Sequence, residues 1–381
     1  MTTASAPERT QAAQKRTLGK LAELLERQGI DLEEIGRVNR VNAWQGFYKD
    51  EQGDAQVVDM VGVQFTPTWE TGPAWPVMRP APKVRLPLRK CAVNGTDMKS
   101  CVVLPDMQIG YYRDREEELV PTHDEDAITV SLSIIRAAKP TSVVLVGDNL
   151  DLPELSSYRL SPAYQRTTQA TIDRAGLLCA QLRDAAPDAE IVWLAGNHEE
   201  RMPKWLLDNA RAAFGLRRAG DAPDSWPIMS VPFLCNMDDY RIDYRPGFPA
   251  ADYWVNHRLR VIHGHLVKSG TSTASAYLAR EKSSVIFGHT HRLEWAERTR
   301  QDHDGPRRIL AMSPGCLARV DGVVPSTKQG LDLDGRPLVS HEDWQQGIAV
   351  IGFEEGDGPF WPELVPIHDG RAMWRGKEYS A

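Results

Sequence analysis

The sequence predicts an α/β protein, and two observations carry that prediction. Short β-branched runs recur at residues 101–104, 142–146, 191–194, 260–262, 284–287 and 308–311, with helical stretches such as 125–138 and 165–185 between several of them. Strands alternating with helices point to layers of helix around a buried sheet. Each of the first five runs also leads straight into a cluster of Asp, Asn or His. Residues just past the carboxyl ends of neighbouring strands meet in one crevice, so such clusters converge.

Bulk properties agree with that class. At 381 residues the chain is long enough for one large α/β domain with an appendage, or for two domains. Its 41% apolar and 25% charged residues suit a globular protein with a real core. No stretch approaches the ~20 consecutive apolar residues of a membrane span, so no membrane partner is expected. The first twenty residues are polar and lack the apolar core of a secretory signal. Five scattered cysteines without a CxxC pair argue against a disulfide framework and a cysteine zinc site, and for a reducing cytoplasm. A net charge of -7 means that any nucleic-acid binding needs a local basic patch.

Along the chain, residues 1–15 read as a disordered tail and 16–98 as a small N-terminal α+β module with its linker. Leu18, Leu21, Leu24 and Leu25 share one helical face, and Gly29 is a plausible stop. Asp31 can cap a second short helix carrying Leu32, Ile35 and Val38. Alternation over 57–65 suggests a strand or hairpin, and the Pro- and Trp-rich run 66–87 reads as a linker. The α/β domain then occupies residues 99–381.

The clusters, in order, are Pro105-Asp106-Met107-Gln108, Gly147-Asp148-Asn149-Leu150-Asp151, Gly196-Asn197-His198-Glu199, His263-Gly264-His265 and Gly288-His289-Thr290-His291. Five of the ten histidines fall in them. Carboxylates, an amide and imidazoles together suit Mn, Fe, Zn or similar divalent ions rather than calcium. The glycines let backbone approach a ligand closely. Two ions sharing a bridging carboxylate, ~3.5–4 Å apart, can hold a phosphate and activate a water.

This ordered set, D-x-Q, GDxxD, GNHE, HG and GHTH, is similar to the motif series of the calcineurin-like metallophosphoesterases, and it spans residues 102–317. The long N-terminal part resembles that of metallophosphoesterases encoded by phages of actinobacteria. The resemblance implies a four-layer α/β/β/α sandwich metallophosphoesterase fold, here with a small N-terminal α+β appendage. It implies two divalent metal ions, Mn first, with Fe, Zn, Ni or Mg as alternatives. By the same resemblance Asp148 bridges the ions, Asp106, Gln108 and His291 complete one site, and Asn197, His263 and His289 complete the other. His198 is the implied acid that protonates the leaving oxygen or steadies the phosphoryl group, and Arg201 is a candidate grip for a phosphate oxygen. Gln108 departs from the family, which usually has His there. Its neutral amide oxygen is a weaker donor than imidazole, so one site is weakened or lost, and weakening is favoured because three ligands remain.

Each feature has a plainer reading beside it. Asp151 orients Asn197 or His198, or merely caps a turn. His265 supports the ligands from behind or is a solvent-facing neighbour of His263, and His123 caps a helix ahead of a role at a metal. His257, His303, His341 and His368 have no partner pattern and read as loop or surface residues. Tyr158, Arg159, Tyr164 and Arg166 line a groove for a phosphate-bearing substrate, or form a solvated face. The N-terminal helices read as a packing or dimerisation appendage ahead of a helix-turn-helix, and a homodimer is compatible with the acidic surface. The expected activity is hydrolysis of phosphate esters, with a phosphodiesterase or nuclease ahead of a phosphomonoesterase, and with nucleic acid among the candidate substrates. The rival from another class is a non-catalytic scaffold on a decayed phosphoesterase fold.

Overall fold

The computed structural model describes residues 38–49, 52–65, 98–303, 305–325, 330–332 and 335–381, with single helical positions at 19, 23, 26 and 27. The expected tail, the leucine face from Leu18 to Leu25, the stop at Gly29, the cap at Asp31 and the linker 66–87 lie outside the described residues. Contacts divide the chain into two units, Met1–Val77 and Met78–Ala381. The stretch just before the expected boundary at 98–99 is also outside the described residues.

In the first unit β1 (Val38–Lys49) and β2 (Ala55–Phe65) form an antiparallel hairpin, with Trp44 opposite Met60 and Phe47 opposite Val57. Val38, expected on a helix, instead opens β1. Its β-branched side chain suits a strand at least as well as a helix, and pairing with Phe65 decides between them.

The second unit is mixed α/β and is built on two sheets. The larger contains β3 (Lys99–Leu104), β6 (Ser142–Leu145), β7 (Glu190–Leu194) and β8 (Ile242–Arg245), all parallel. On the other side of β3 it continues antiparallel through β14 (Gly347–Phe353), β15 (Phe360–His368), β16 (Arg371–Trp374) and β17 (Lys377–Ser380). The five-stranded sheet runs β12-β13-β11-β10-β9, comprising β9 (Asp252–Asn256), β10 (Leu259–Ile262), β11 (Ser284–Phe287), β12 (Leu293–Asp302) and β13 (Gly305–Pro314). Its three central strands are parallel. A small ribbon joins β4 (Tyr111–Arg113) to β5 (Leu119–Pro121).

The strand sequences are continuous apolar runs because both faces are buried. On the large sheet Val102, Leu104, Val143, Leu145, Ile191 and Trp193 pack against helices α1 (Glu125–Ala138) and α2 (Thr168–Ala185), through residues such as Ile128, Ile135, Leu178 and Leu182. The intervening Cys101, Val103, Val144, Val146, Val192 and Leu194 pack with Leu259, Val261, Ile286, Leu310 and Met312 of the five-stranded sheet. That sheet's remaining face, with Val285, Phe287, Ile309 and Ala311, is covered by Ala274, Tyr277 and Leu278 of a helix over Ser272–Arg280. Each such aliphatic side chain contributes about 1.5–3 kcal/mol of transfer free energy, so the strand ends are held on a stiff base.

Helix α1 starts at Asp124, whose carboxylate accepts from Ala127 N at 2.9 Å. His123, expected in that role, is instead buried, with Nδ1 3.1 Å from Gly110 O and Nε2 2.9 Å from Glu125 Oε1. An Asp oxygen satisfies the helix's free N–H groups and its positive end, whereas an imidazole is a poorer acceptor there. Among the described residues no helix is long and apolar enough to cross a membrane.

Candidate metal centre

The carboxyl ends of β3, β6, β7, β10 and β11 all open onto one crevice, and each delivers its polar cluster there. Two loops are stitched together first. Gln108 N donates to Asp148 O at 3.0 Å, and Ile109 N to Asn149 O at 2.7 Å. Thr122 Oγ1 holds Gln108 O from the other side at 3.1 Å. Gly196 and Gly288 are needed for close approach. A Cβ on Gly196 would meet Asp148 Oδ1 at 2.2 Å, and one on Gly288 would meet Asp106 Oδ2 at 2.4 Å.

The resulting side chains fall into two adjoining groups. In one, His291 Nε2 lies 3.3 Å from Asp106 Oδ1 and 3.5 Å from Gln108 Nε2. In the other, His263 Nε2 lies 3.3 Å from Asp148 Oδ2 and 3.2 Å from Asn197 Oδ1. Ligand atoms of Asp148, His263 and His289 all lie within 4.8 Å of one another. The His263 and His289 rings are 5.2 Å apart, and His289 N donates to Asp106 Oδ1 at 2.9 Å, which ties the groups together. All seven residues expected as ligands are thus brought to one place.

Divalent ions fit this donor set. Asp106 Oδ2 and Gln108 Oε1 are buried acceptors without a hydrogen-bond partner, which ordinary cores rarely tolerate. His263 Nδ1 sits 3.1 Å from Val146 O, so its Nδ1–H points at that carbonyl and Nε2, turned to Asp148 and Asn197, is the nitrogen that an ion would take in place of a proton. Backbone strain is concentrated here as well. Gln108, Asp148, His289 and His291 all have left-handed φ, at 50°, 50°, 67° and 57°, a conformation that costs of order 1 kcal/mol or more each.

The electrostatics describe a place for positive charge. Burial would raise the Asp148 carboxyl, but His198 and His263 outweigh it and hold the group well below the usual range. Burial would lower His263, yet Asp148 lifts it to about 9. Burial and then the charge on His263 push His289 down to about 4. Without an ion the extra proton therefore sits on His263 and His289 is neutral, and a bound cation would take that proton's place.

His198 stands beside this cluster. Its Nδ1 is 3.0 Å from Asp151 Oδ1, its Nε2 is 3.0 Å from Arg201 Nη2, and its backbone N–H donates to Asp148 Oδ1 at 2.8 Å. Arg201 Nη1 also holds Asp151, at 2.7 Å from Oδ1 and through the backbone carbonyl. Asp151 thus addresses His198 rather than Asn197. Burial works against its ionisation, but His198 and Arg201 keep the carboxyl low. Here Arg201 braces the His198–Asp151 pair from the wall of the crevice. His265 is exposed.

A cavity of about 650 Å³ opens over the centre, walled by Tyr158, Arg159, Arg201, Pro325 and Trp344 above Gln108, Asp148, Asn197, His198, His289 and His291. Tyr158 and Arg159 therefore reach the crevice. Tyr164 does not, since it is buried with its hydroxyl donating to Val323 O at 2.7 Å. Arg166 is not in the wall.

Sequence reasoning missed Glu199. Its carboxylate is buried under the loops and accepts from the backbone N–H of Asp148 (2.9 Å), Asn149 (2.8 Å) and Gly196 (2.8 Å), and from the Trp193 indole (3.2 Å). Leu150 N lies at 3.4 Å. Burial and the nearby Asp148 raise this carboxyl, against the pull of those donors. The signal was present, because Glu199 was the charged member of its cluster left without a role. Trp344, whose ring meets that of His291 at 4.1 Å, carried no sequence signal.

No family model and no curated protein matches the chain. Among solved structures, YfcE, a phosphoesterase from E. coli, matches at 11% identity over 70% of this chain and 98% of that chain, with a TM-score of 0.27. At that TM-score the likeness adds nothing to what the crevice itself supports.

Proposed function

We propose that the chain is a metal-dependent hydrolase of phosphate esters, a phosphodiesterase or nuclease working through a dinuclear centre of the calcineurin-like kind. The observation that carries this reading is the Asp148, His263 and His289 cluster, with its ligand atoms within 4.8 Å, adjoining the unpartnered buried oxygens of Asp106 and Gln108. The helix, sheet, sheet, helix order of the three packed cores agrees with the four-layer sandwich implied by the motif series. Asp148, Asp106, Gln108 and His291 would hold one ion, and Asp148, Asn197, His263 and His289 the other. Bound there, two divalent ions, Mn in the first instance, would supply electrophilic stabilisation of the phosphate and lower the pKa of a water.

The chain's own residues do the rest. His198 stands at the cluster's edge and passes a proton to the departing oxygen once Arg201 turns from its Nε2 to the phosphate. Asp151 fixes the imidazole's orientation from Nδ1, while Arg201 braces Asp151 and faces the cavity, where it can grip a phosphate oxygen. Tyr158 and Arg159 enlarge the crevice well beyond what a bare phosphate fills, which favours a substrate with a second substituent on phosphorus. That is the support for a diester over a monoester.

The test is hydrolysis of bis(p-nitrophenyl) phosphate. Protein stripped with EDTA should be inactive and Mn should restore turnover. Asp148→Asn should abolish it, and His198→Ala should lower kcat by roughly 100-fold or more. Wild-type protein that is inert with every divalent metal on diesters and monoesters alike would overturn the proposal in favour of a scaffold.

A further inference from the structure

A second cavity, of about 440 Å³, lies at the other end of the five-stranded sheet. The metal-centre loops leave the carboxyl ends of β10 and β11, whereas this cavity opens at their starts, beside Arg258 and Ser284. Four residues of strand at about 3.3 Å each separate the two ends, roughly 13 Å. The cavity is therefore not an extension of the crevice already described.

Its lining is cationic in a chain whose net charge is -7. Among the described residues, Arg258, Lys282, Arg307 and Arg308 contribute to the wall, against one acid, Glu297. Glu297 is already committed, because Arg308 grips it through Nε at 2.6 Å and Nη2 at 2.5 Å. Arg307 is also engaged, which leaves two cations, Arg258 and Lys282, without such a partner among the described residues. Arg258 is half-buried, and Lys282 is exposed and makes no ion pair among the described residues. Next to these cations the Trp361 indole is 51% exposed, flanked by Pro359, Phe360 and Pro362. Strand β15 thus presents a flat aromatic face that the fold does not cover.

We propose that this cavity binds a nucleoside phosphate, with Arg258 and Lys282 on the phosphate and the base stacked on Trp361. Inorganic phosphate alone would leave the aromatic wall unused, and a cavity of this size lies in the range that holds small organic ligands. Stacking on an exposed indole is tolerant of base identity, and the phosphate supplies the charge-assisted contacts. The same chemistry is offered by a free nucleotide and by the 5′-phosphorylated end of a single strand.

The experiment is titration calorimetry on the full chain in EDTA, which keeps the metal centre empty and silent. The probes are AMP, adenosine, inorganic phosphate and a 5′-phosphorylated oligothymidylate. AMP or the oligonucleotide should bind more tightly than adenosine or phosphate. Lys282→Glu and Trp361→Ala, both at exposed positions, should each weaken that binding by about fivefold or more, and leave hydrolysis of bis(p-nitrophenyl) phosphate in Mn unchanged. Tighter binding of AMP assigns the site to a free nucleotide, and tighter binding of the oligonucleotide assigns it to a strand end. Absence of binding by both at millimolar concentration overturns the proposal, as does wild-type affinity in both variants.

Discussion

Replacing Glu199 with Ala should destabilise the chain more than any single ligand substitution at the crevice. The carboxylate accepts four short hydrogen bonds, from Asp148 N, Asn149 N, Gly196 N and the Trp193 indole. The side chain it leaves from is 1% exposed, so bulk water cannot take over. At about 1–3 kcal/mol for each buried donor left unpaired, four donors give on the order of 4 kcal/mol at the low end of the range. A water entering the space would offset part, and the lost packing would add to it. That is a large share of the roughly 5–15 kcal/mol that holds a native protein. With about 1.5 °C per kcal/mol for a unit of this size, the melting temperature should fall by about 6 °C. The assay is calorimetric melting of the EDTA-treated protein, so that bound metal does not mask the loss. Glu199→Gln keeps one acceptor oxygen but turns its NH2 towards N–H donors, and should fall in between. A Glu199→Ala protein melting within about 2 °C of wild type would refute the reasoning, since the loop pair would then be held by something other than this carboxylate.

Other substitutions test other parts of the description. Gln108→His should strengthen the first site and lower the Mn needed for half-maximal activation by on the order of tenfold; an unchanged requirement would remove Gln108 from the ligand set. Arg201→Lys keeps a charge but loses the fork that holds Asp151 and His198, so kcat should fall by roughly tenfold with little change in KM. Burial would raise the Glu125 carboxyl, but Arg174, at 2.7 Å through both Nε and Nη2, and His123 outweigh it and hold the group below its usual 4.5. A depressed carboxyl stabilises above its unfolded value and loses that contribution as pH falls through the folded one, so Glu125→Gln should differ from wild type at pH 7 and converge with it in acid melts. Cys101, Cys179, Cys235 and Cys316 are all buried, and burial lifts Cys101 and Cys179 to about 12. Native protein should therefore release at most one of its five thiols to Ellman's reagent, against five on unfolding.

The strands were legible because burial on both faces forces short apolar runs, and five of those runs end in the residues that converge. Runs expected at 142–146, 191–194 and 284–287 correspond to Ser142–Leu145, Glu190–Leu194 and Ser284–Phe287. The seven expected ligands and His198 could be read in the same way, since polar residues directly after such strands have few structural reasons to recur. Asp151 could not be decided by sequence, because its partner lies 47 residues further along the chain (198 − 151) and is chosen by how β6 and β7 pair. His123 was misjudged for a related reason. Its neighbour Asp124 competes for the same cap, and the burial that excludes His123 from that role is a tertiary fact.

By itself, then, the sequence determined the α/β class and the order of the polar clusters that converge, because these depend on local periodicity and on residue chemistry. Tertiary structure decided what those residues touch. Glu199 became a hub because two loops 50 residues apart present their N–H groups to one point. Tyr158 and Arg159 reached the crevice while Tyr164 did not, since the chain after β6 turns Tyr164 inward to Val323. The cationic cavity beside Trp361 gathers β10, β11, β13 and β15, whose residues span positions 257 to 362. Periodicity reports which face of an element is buried, whereas contacts between elements distant in sequence are fixed by sheet order and register.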